Sequence, residues 1–173
     1  MLRLHNSILE SIDLVNPDTG QVTKGRDAFN VFYNRLAKKY REIYAKKSSK
    51  VGQKAVVELT YFLFWRDART ELGHYFRFLF NFFRFIENSE IDDEFYPKLL
   101  RSQLSDQELL LLFYNNVSKH GAAFHAYADQ YALFDNLSVE RLLNREHAKF
   151  ASAEAYGKNE MDFSPSVESV PRK

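Results

Sequence analysis

The segment from Phe62 to Asn88 constrains the fold of this chain more than any other. Between Tyr75 and Ile86 it is aromatic or aliphatic at nearly every position apart from one Asn and two Arg residues. At about 100° per residue, its polar side chains fall in one helical sector about 80° wide. We call this sector the polar stripe, and its members are Arg66, Thr70, His74, Arg77, Asn81, Arg84 and Asn88. A helix of this kind packs on most of its circumference and leaves one narrow stripe for water, a ligand or a partner.

The composition supports a single helical domain. With 173 residues, of which 45% are hydrophobic, the chain is long enough for one domain with its own core and short for two. Sixteen Phe and ten Tyr, against six Gly and four Pro, favour long helices over a turn-rich β fold. We therefore predict an all-α, single-domain bundle over residues 1–157, with about five to seven helices around two central ones. Residues 158–173 are polar, contain two prolines and are predicted to be a disordered tail.

Several kinds of protein are disfavoured by what the sequence lacks. The absence of cysteine excludes disulfides and thiolate metal sites. Arg77, Asn81 and Arg84 interrupt the best candidate for the roughly 18 apolar residues that a membrane span requires. The five histidines lack metal-ligand spacing on one helical face, and no glycine-rich phosphate loop is present. We therefore expect no metal, no cofactor and no membrane span in this chain, and a cytoplasmic location.

Hydrophobic spacing and turn signals divide the chain into helical stretches. They predict helices at Leu2–Val15, Gly25–Lys47, Gln53–Asn88, Asp106–His120, Ala122–Phe134 and Ser138–Tyr156. Residues 16–20 are predicted to form a turn. Pro97 limits any helix in the acidic connection, so that a single helical turn is expected at 99–104. The length of the third helix allows a kink near Gly73.

The best-defined helix start lies at Ser105. Ser105 and Glu108 have the spacing of a capping box, in which each side chain bonds to the other residue's backbone N–H. The following stretch, 109–114, is apolar all round, which predicts a second central helix. Gly121 and Gly157 are placed to end helices in a left-handed conformation.

Charge is distributed unevenly along the chain. Residues 24–54 contain ten basic side chains against Asp27 and Glu42, whereas acidic residues exceed basic ones by five over 87–108. Such separation can steer an anionic partner to one side or support self-association between opposite faces. The alternative is that both runs are solvated surfaces.

The polar stripe has two interpretations. In the first it is a solvent-facing seam whose arginines form ion pairs with neighbouring acids such as Asp67 and Glu71. In the second it is a cationic groove for phosphate or nucleic acid, because the guanidinium is planar and permanently charged. Tyr75 lies beside it and has a ring that can stack on bases, although aromatic residues at helical spacing usually belong to a core. The candidate binding residues are Arg66, Arg77, Asn81, Arg84, Tyr75 and Arg101.

One catalytic pattern is present. Metal-independent ribonucleases of the HEPN type have Arg followed by His after four to six residues, and this spacing occurs at Arg69–His74 and at Arg141–His147. Histidine would move a proton at the ribose hydroxyl, and arginine would stabilise the phosphoryl transition state. The number of such matches is close to the number expected by chance. Since Arg69 lies about 140° round the helix from His74, Arg77 is the better partner by geometry. The candidate catalytic residues are His74, Arg77 and Arg69.

Several segments in series resemble the AbiC-like family of phage abortive infection proteins. They are LRLHNSILESID at 2–13, TKGRDAF at 23–29, LGHYFRFLFNFFRFIENS at 72–89 and YPKLLRSQLSDQELLLLFYNNVSKHG at 96–121, with a weaker match at 131–137. The resemblance implies a bacterial or prophage defence protein that stops phage propagation. Members commonly carry an N-terminal membrane hairpin, so the resemblance implies either a shortened member or a soluble fragment of a protein that is tethered to the inner membrane.

Three functional hypotheses follow. In the first, the domain acts in abortive infection by binding a phage component, a nucleic acid or its own copies. In the second, it is a metal-independent ribonuclease that uses His74 with an arginine. In the third, it is a scaffold whose charge asymmetry drives oligomerisation.

Overall fold

The computed structural model describes residues 2–15, 19–89 and 95–158. Within them the chain forms six α-helices, four 3₁₀ helices and one two-stranded antiparallel hairpin. The elements are α1 (Leu2–Glu10), β1 (Asp13–Val15), β2 (Val22–Lys24), α2 (Asp27–Lys46), α3 (Gln53–Asn88), α4 (Phe95–Arg101), α5 (Asp106–Asn116) and α6 (His125–Gln130), with 3₁₀ helices at Lys119–Phe124, Val139–Arg141, Arg145–Phe150 and Glu154–Tyr156. The all-α prediction is confirmed. Residues 16–18 of the predicted turn and 159–173 of the predicted tail lie outside the described residues.

Helix α3 is the axis of the fold. It runs for 36 residues with the predicted bounds and continues as one helix through Gly73. Fourteen of its residues are buried, because apolar positions occur on nearly all of its faces. Helix α2 packs along it through buried rings; Phe29, for example, meets Tyr75 edge to face with ring centroids 4.9 Å apart.

Helix α5 is the second central element. All of its residues from Glu108 to Asn116 are buried, as expected for a helix that is apolar all round. The predicted capping box is confirmed. The Glu108 backbone N–H donates to Ser105 Oγ at 3.3 Å, and the Ser105 backbone N–H donates to Glu108 Oε2 at 2.9 Å.

The N-terminal segment differs from its prediction. Helix α1 ends at Glu10 rather than Val15, and residues 13–15 pair antiparallel with residues 22–24. Ile12 and Leu14 are buried while Asp13 and Val15 are exposed, which is the two-residue period of a strand. The Ile12 carbonyl accepts from Gly25 N–H at 2.7 Å, and Gly25 adopts φ +58°, where glycine is favoured.

The end of α5 also differs. The helix stops at Asn116, four residues before the predicted His120, and Gly121 lies within a 3₁₀ helix without a positive φ. A Cβ at Gly121 would lie 2.1 Å from the Asn115 carbonyl oxygen. The predicted role as a left-handed cap is therefore wrong. Glycine is required here because the 119–124 segment approaches the backbone of α5 closely.

Beyond α5 the predicted long helices are replaced by short ones. Of the stretch 122–134, only residues 125–130 are α-helical, and the predicted helix from Ser138 consists of three 3₁₀ helices. Ser138 makes no side-chain capping bond, whereas Gly157, at φ +57°, ends the last of them. Helix α4 begins earlier than predicted, because Pro97 occupies its first turn, where no backbone N–H is needed.

We expect the Gly121→Ala substitution to destabilise the domain by about 3 kcal/mol, because the new methyl group overlaps a backbone carbonyl that cannot rotate away. Gly52→Ala is the matched control, since nothing lies within 4 Å of a Cβ there. Its expected effect is below about 1 kcal/mol, because Gly52 is the N-cap of α3, where alanine is less favourable, while alanine also lowers the entropy of the unfolded chain. Urea unfolding followed by circular dichroism measures both, and equal stabilities would contradict the close approach.

Acid is expected to destabilise the domain through His147. Its side chain is buried, with Nδ1 2.9 Å from the Tyr114 hydroxyl, and burial lowers its pKa to about 4. Because unfolded histidine titrates near pH 6.5, the unfolded state binds more protons between these values. The contribution of His147 to the free energy of unfolding is therefore fully present above pH 6.5. It is lost as the pH falls towards 4, which lowers the free energy of unfolding by on the order of 2 kcal/mol.

The control variant is His147→Asn, because the asparagine side chain does not titrate. The variant should be less stable than the parent at pH 7 and should lose less stability between pH 7 and pH 4.5 in thermal unfolding. Some pH dependence should remain, because burial also lowers the pKa of His5. Parallel pH profiles for parent and variant would show that His147 is not responsible.

Candidate functional site

The polar stripe of α3 does not form one uniform seam. All seven of its members are exposed or half-buried. Arg66 pairs with Asp67 at 3.1 Å, as the solvent-facing interpretation predicts, and His74 Nε2 lies 3.3 Å from Ser11 Oγ. Asn81 and Arg84 are exposed further along the helix, as is Arg69 outside the stripe. Of the predicted catalytic set, His74 is thus turned towards the residue that follows α1.

The side chain of Arg77 folds back over its own helix towards Gly73. A Cβ at Gly73 would lie 3.2 Å from Arg77 Nη1, so the missing side chain at Gly73 makes room for the guanidinium. Gly73 is buried and lies one helical turn before Arg77. The Gly73–Arg77 pair therefore forms a flat, positively charged floor on the helix.

This floor belongs to a pocket of about 220 Å³ between α3, the last turn of α5 and the 119–124 segment. We call it the Arg77 pocket. Its walls are mainly aromatic, and its polar side chains are Arg77, Asn115 and His120. Its lining residues are Trp65, Gly73, Phe76, Arg77, Phe80, Asn115, His120, Ala123 and Phe124. Planar apolar walls with a few polar groups are typical of small-molecule sites.

Asn115 is held firmly in the wall of this pocket. Its Nδ2 donates to the hydroxyl of Tyr61 at 2.8 Å, and Tyr61 is fully buried. Its backbone carbonyl is the group that Gly121 approaches. The last turn of α5 and the 119–124 segment are therefore locked together, which fixes the position of His120 relative to α3.

His120 is surrounded by rings but makes no hydrogen bond within the described residues. Its centroid lies 5.9 Å from that of Tyr61, 6.0 Å from Phe62 and 6.3 Å from Trp65. Within the same part of the chain, the Arg77 guanidinium makes no hydrogen bond or ion pair. The Arg77 pocket therefore presents two polar side chains whose nitrogen atoms are available to a ligand.

The other histidines are engaged or enclosed. His125 Nε2 donates to the Asn116 carbonyl, and His147 contacts the hydroxyls of two tyrosines. His5 is buried, with neither ring nitrogen hydrogen-bonded. The sequence indicated His74 because it lies on the polar stripe, and it did not indicate His120 because only the fold brings residue 120 into the same pocket as residue 77.

Tyr75 faces the core. Its hydroxyl donates to Glu108 Oε1 at 2.7 Å, and both side chains are buried. Burial and the neighbouring carboxylate raise the pKa of Tyr75. Glu108 also pairs with Arg26 at 3.2 Å, and His5 Nε2 lies 3.7 Å from its carboxylate. Tyr75 is thus part of a buried polar cluster and is not placed to stack on a ligand at the surface.

Arg101 supports a loop. Its Nη1 donates to the Tyr131 carbonyl at 3.0 Å and to the Ala132 carbonyl, and its Nη2 lies 3.7 Å from Asp135. Ala132 adopts φ +47°, an uncommon backbone conformation for a residue with a Cβ. Since only 11% of the Arg101 side chain is exposed, its charge is committed to holding this turn.

The charged runs are partly neutralised by contacts within the domain. In the acidic run, Asp106 pairs with Arg141, and Glu108 is fully buried against Arg26. In the basic run, Lys39 pairs with Asp67 at 2.8 Å beside a second cavity of about 340 Å³ between α2 and α3. The charge separation available to a partner is therefore smaller than the sequence count indicates.

Neither a metal site nor a membrane-spanning helix is seen in the described parts of the chain. Residues 2–15, 19–89 and 95–158 contain no group of three or more His, Cys, Asp or Glu side chains arranged to hold a metal ion. None of the helices in these ranges is long and apolar enough to cross a bilayer.

The comparison with protein families agrees with the resemblance in the sequence. Residues 67–142 match the model of the family described as "Putative phage abortive infection protein". The resemblance to AbiC-like proteins is confirmed. Neither the curated proteins nor the solved structures gave a match to this chain.

The matched segment contains most of the Arg77 pocket. It includes the second half of α3, all of α5 and the 119–124 segment, so that every lining residue of the pocket except Trp65 lies within it. The family's name supports a role in phage abortive infection.

We expect Arg101→Met to destabilise the domain by about 2–3 kcal/mol, because two backbone carbonyls and Asp135 lose their donor. Arg84→Met removes an exposed arginine from α3 and should change stability by less than about 0.5 kcal/mol. Chemical denaturation of the two variants measures the difference. If Arg101→Met were as stable as Arg84→Met, the loop-supporting role would be wrong.

Proposed function

We propose that this domain acts in abortive infection by binding single-stranded nucleic acid, with one base in the Arg77 pocket and the adjacent phosphate on Arg77. The observation that carries the proposal is the free guanidinium on the floor of an aromatic pocket. A phosphate ester of a planar heterocycle has both features that this pocket complements.

The size of the pocket supports a single inserted base. Its volume of about 220 Å³ is below the roughly 300–1,000 Å³ of pockets that enclose drug-sized ligands. One planar ring system fits, while the rest of the strand lies outside. The rings of Trp65, Phe76, Phe80 and Phe124 supply apolar faces, and base–aromatic stacking contributes about 1–3 kcal/mol per base.

The polar side chains support a phosphate beside that base. Arg77 offers a planar fork of donors, which suits two phosphate oxygens at once. Because Gly73 has no side chain, this fork can lie close to the helix at the pocket floor. A phage protein and a second copy of this chain are the competing partners, and the following experiment separates them from nucleic acid.

Arg77→Gln is expected to weaken binding of a fluorescein-labelled 12-nucleotide RNA by about tenfold or more, because a charge-assisted hydrogen bond to phosphate is lost. Arg84→Gln removes the same charge from the same helix outside the pocket and should change the dissociation constant less than about twofold. Fluorescence anisotropy at 150 mM salt measures both, with thermal unfolding as the check on folding.

Two results would overturn the proposal. If the parent protein binds neither RNA nor DNA strands, the partner is a protein or another copy of the chain. If Arg77→Gln and Arg84→Gln weaken binding equally, the attraction comes from general surface charge. In cells, Arg77→Gln should also abolish protection against a phage that the parent protein restricts, measured as the efficiency of plating.

A further inference from the structure

The Arg77 pocket carries the elements of a reaction as well as those of a binding site. We propose that it cleaves RNA by metal-independent transesterification, with His120 as the general base and Arg77 stabilising the phosphoryl charge. This inference rests on the proposed binding of a strand in the same pocket. It adds a chemical step and assigns that step to residues other than the His74–Arg69 spacing in the sequence.

The contacts of the histidines favour His120. A general base needs a ring nitrogen that is free and can reach the substrate. His120 is exposed, lines the pocket together with Arg77 and makes no hydrogen bond within the described residues. His74 Nε2, by contrast, lies 3.3 Å from Ser11 Oγ, and His74 does not line the pocket.

The residues around His120 restrict its position. Gly121 follows it directly, and its lack of a Cβ allows the 119–124 segment to lie against the Asn115 carbonyl. The rings of Tyr61, Phe62 and Trp65 lie around the imidazole on the α3 side. The imidazole thus lines the same pocket as the guanidinium, and both groups can reach the sugar-phosphate next to a base bound there.

The proposed reaction requires neither a cofactor nor water. His120 accepts the proton of the ribose 2′ hydroxyl, and the 2′ oxygen forms a bond to the adjacent phosphorus. The bond from phosphorus to the 5′ oxygen of the next nucleotide breaks, and that oxygen receives the proton that His120 holds. The products are a 2′,3′-cyclic phosphate and a 5′ hydroxyl. Arg77 donates to the phosphoryl oxygens, where negative charge develops.

The decisive variant is His120→Asn. Because general acid–base catalysis contributes about 10²–10⁴-fold, we expect this variant to cleave a labelled RNA at least about 100-fold more slowly in 5 mM EDTA. Because His120 also lines the pocket, the dissociation constant of the variant is measured as well, and the cleavage rates are compared at saturating RNA. His74→Asn, outside the pocket, should cleave at the parent rate, and the product should carry a 2′,3′-cyclic phosphate by mass spectrometry.

The same RNA with 2′-O-methyl groups should bind without being cut, since the attacking hydroxyl is blocked. A parent protein that binds RNA but does not cut it would overturn the catalytic inference and leave the binding function standing. Equal cleavage by the parent and His120→Asn preparations would also overturn it, because the activity would then come from another site or a contaminant. Failure of the parent to bind would instead count against the proposed function.

Discussion

The buried carboxylate of Glu108 joins several elements of this structure. It accepts from the Ser105 backbone at the start of α5 and from the Tyr75 hydroxyl on α3, and it pairs with Arg26 just before α2. His5 on α1 lies 3.7 Å away. A carboxylate withdrawn from water costs several kcal/mol unless hydrogen bonds and opposite charge compensate it, at about 1.5–3 kcal/mol for each charged hydrogen bond. The relative positions of four helices therefore depend on the satisfaction of one side chain.

The Arg77 pocket depends indirectly on the contacts of Glu108. Tyr75 and Arg77 are two residues apart on α3, so the contact that places Tyr75 against Glu108 also sets the rotation of α3 about its axis. With that rotation, Gly73 and Arg77 face the end of α5 and the 119–124 segment. The two glycines have different tasks. Gly73 leaves space for a guanidinium, and Gly121 allows two backbone segments to touch.

The rest of the surface shows how charge in a sequence differs from charge available to a partner. Arg101 and Glu108 lie in an apparently acidic run, yet one supports a turn and the other is fully buried. Arg66 and Lys39 share Asp67. Arg77 differs from all of these. The neighbouring residue, Gly73, has no side chain, and no carboxylate of the described residues forms an ion pair with the guanidinium. Its charge is therefore available for a ligand.

The sequence by itself determined the elements whose causes are local. The apolar spacing of residues 53–88 specified α3 to within its observed bounds, and Ser105 with Glu108 specified the start of α5 through a cap formed within one turn. The position of Arg77 on an exposed line of α3 also followed from helical periodicity.

The tertiary structure alone decided the elements whose causes lie far away in the chain. Residues 13–15 form a strand because residues 22–24 pair with them, and the segments after Asn116 form four short 3₁₀ helices and the short helix α6. His120 became a candidate catalytic residue for the same reason, since it lies 43 positions from Arg77 and no periodicity relates the two. Local hydrogen bonds and hydrophobic spacing act within a few residues, whereas a site assembled from two helices and a loop depends on packing that only the complete fold supplies.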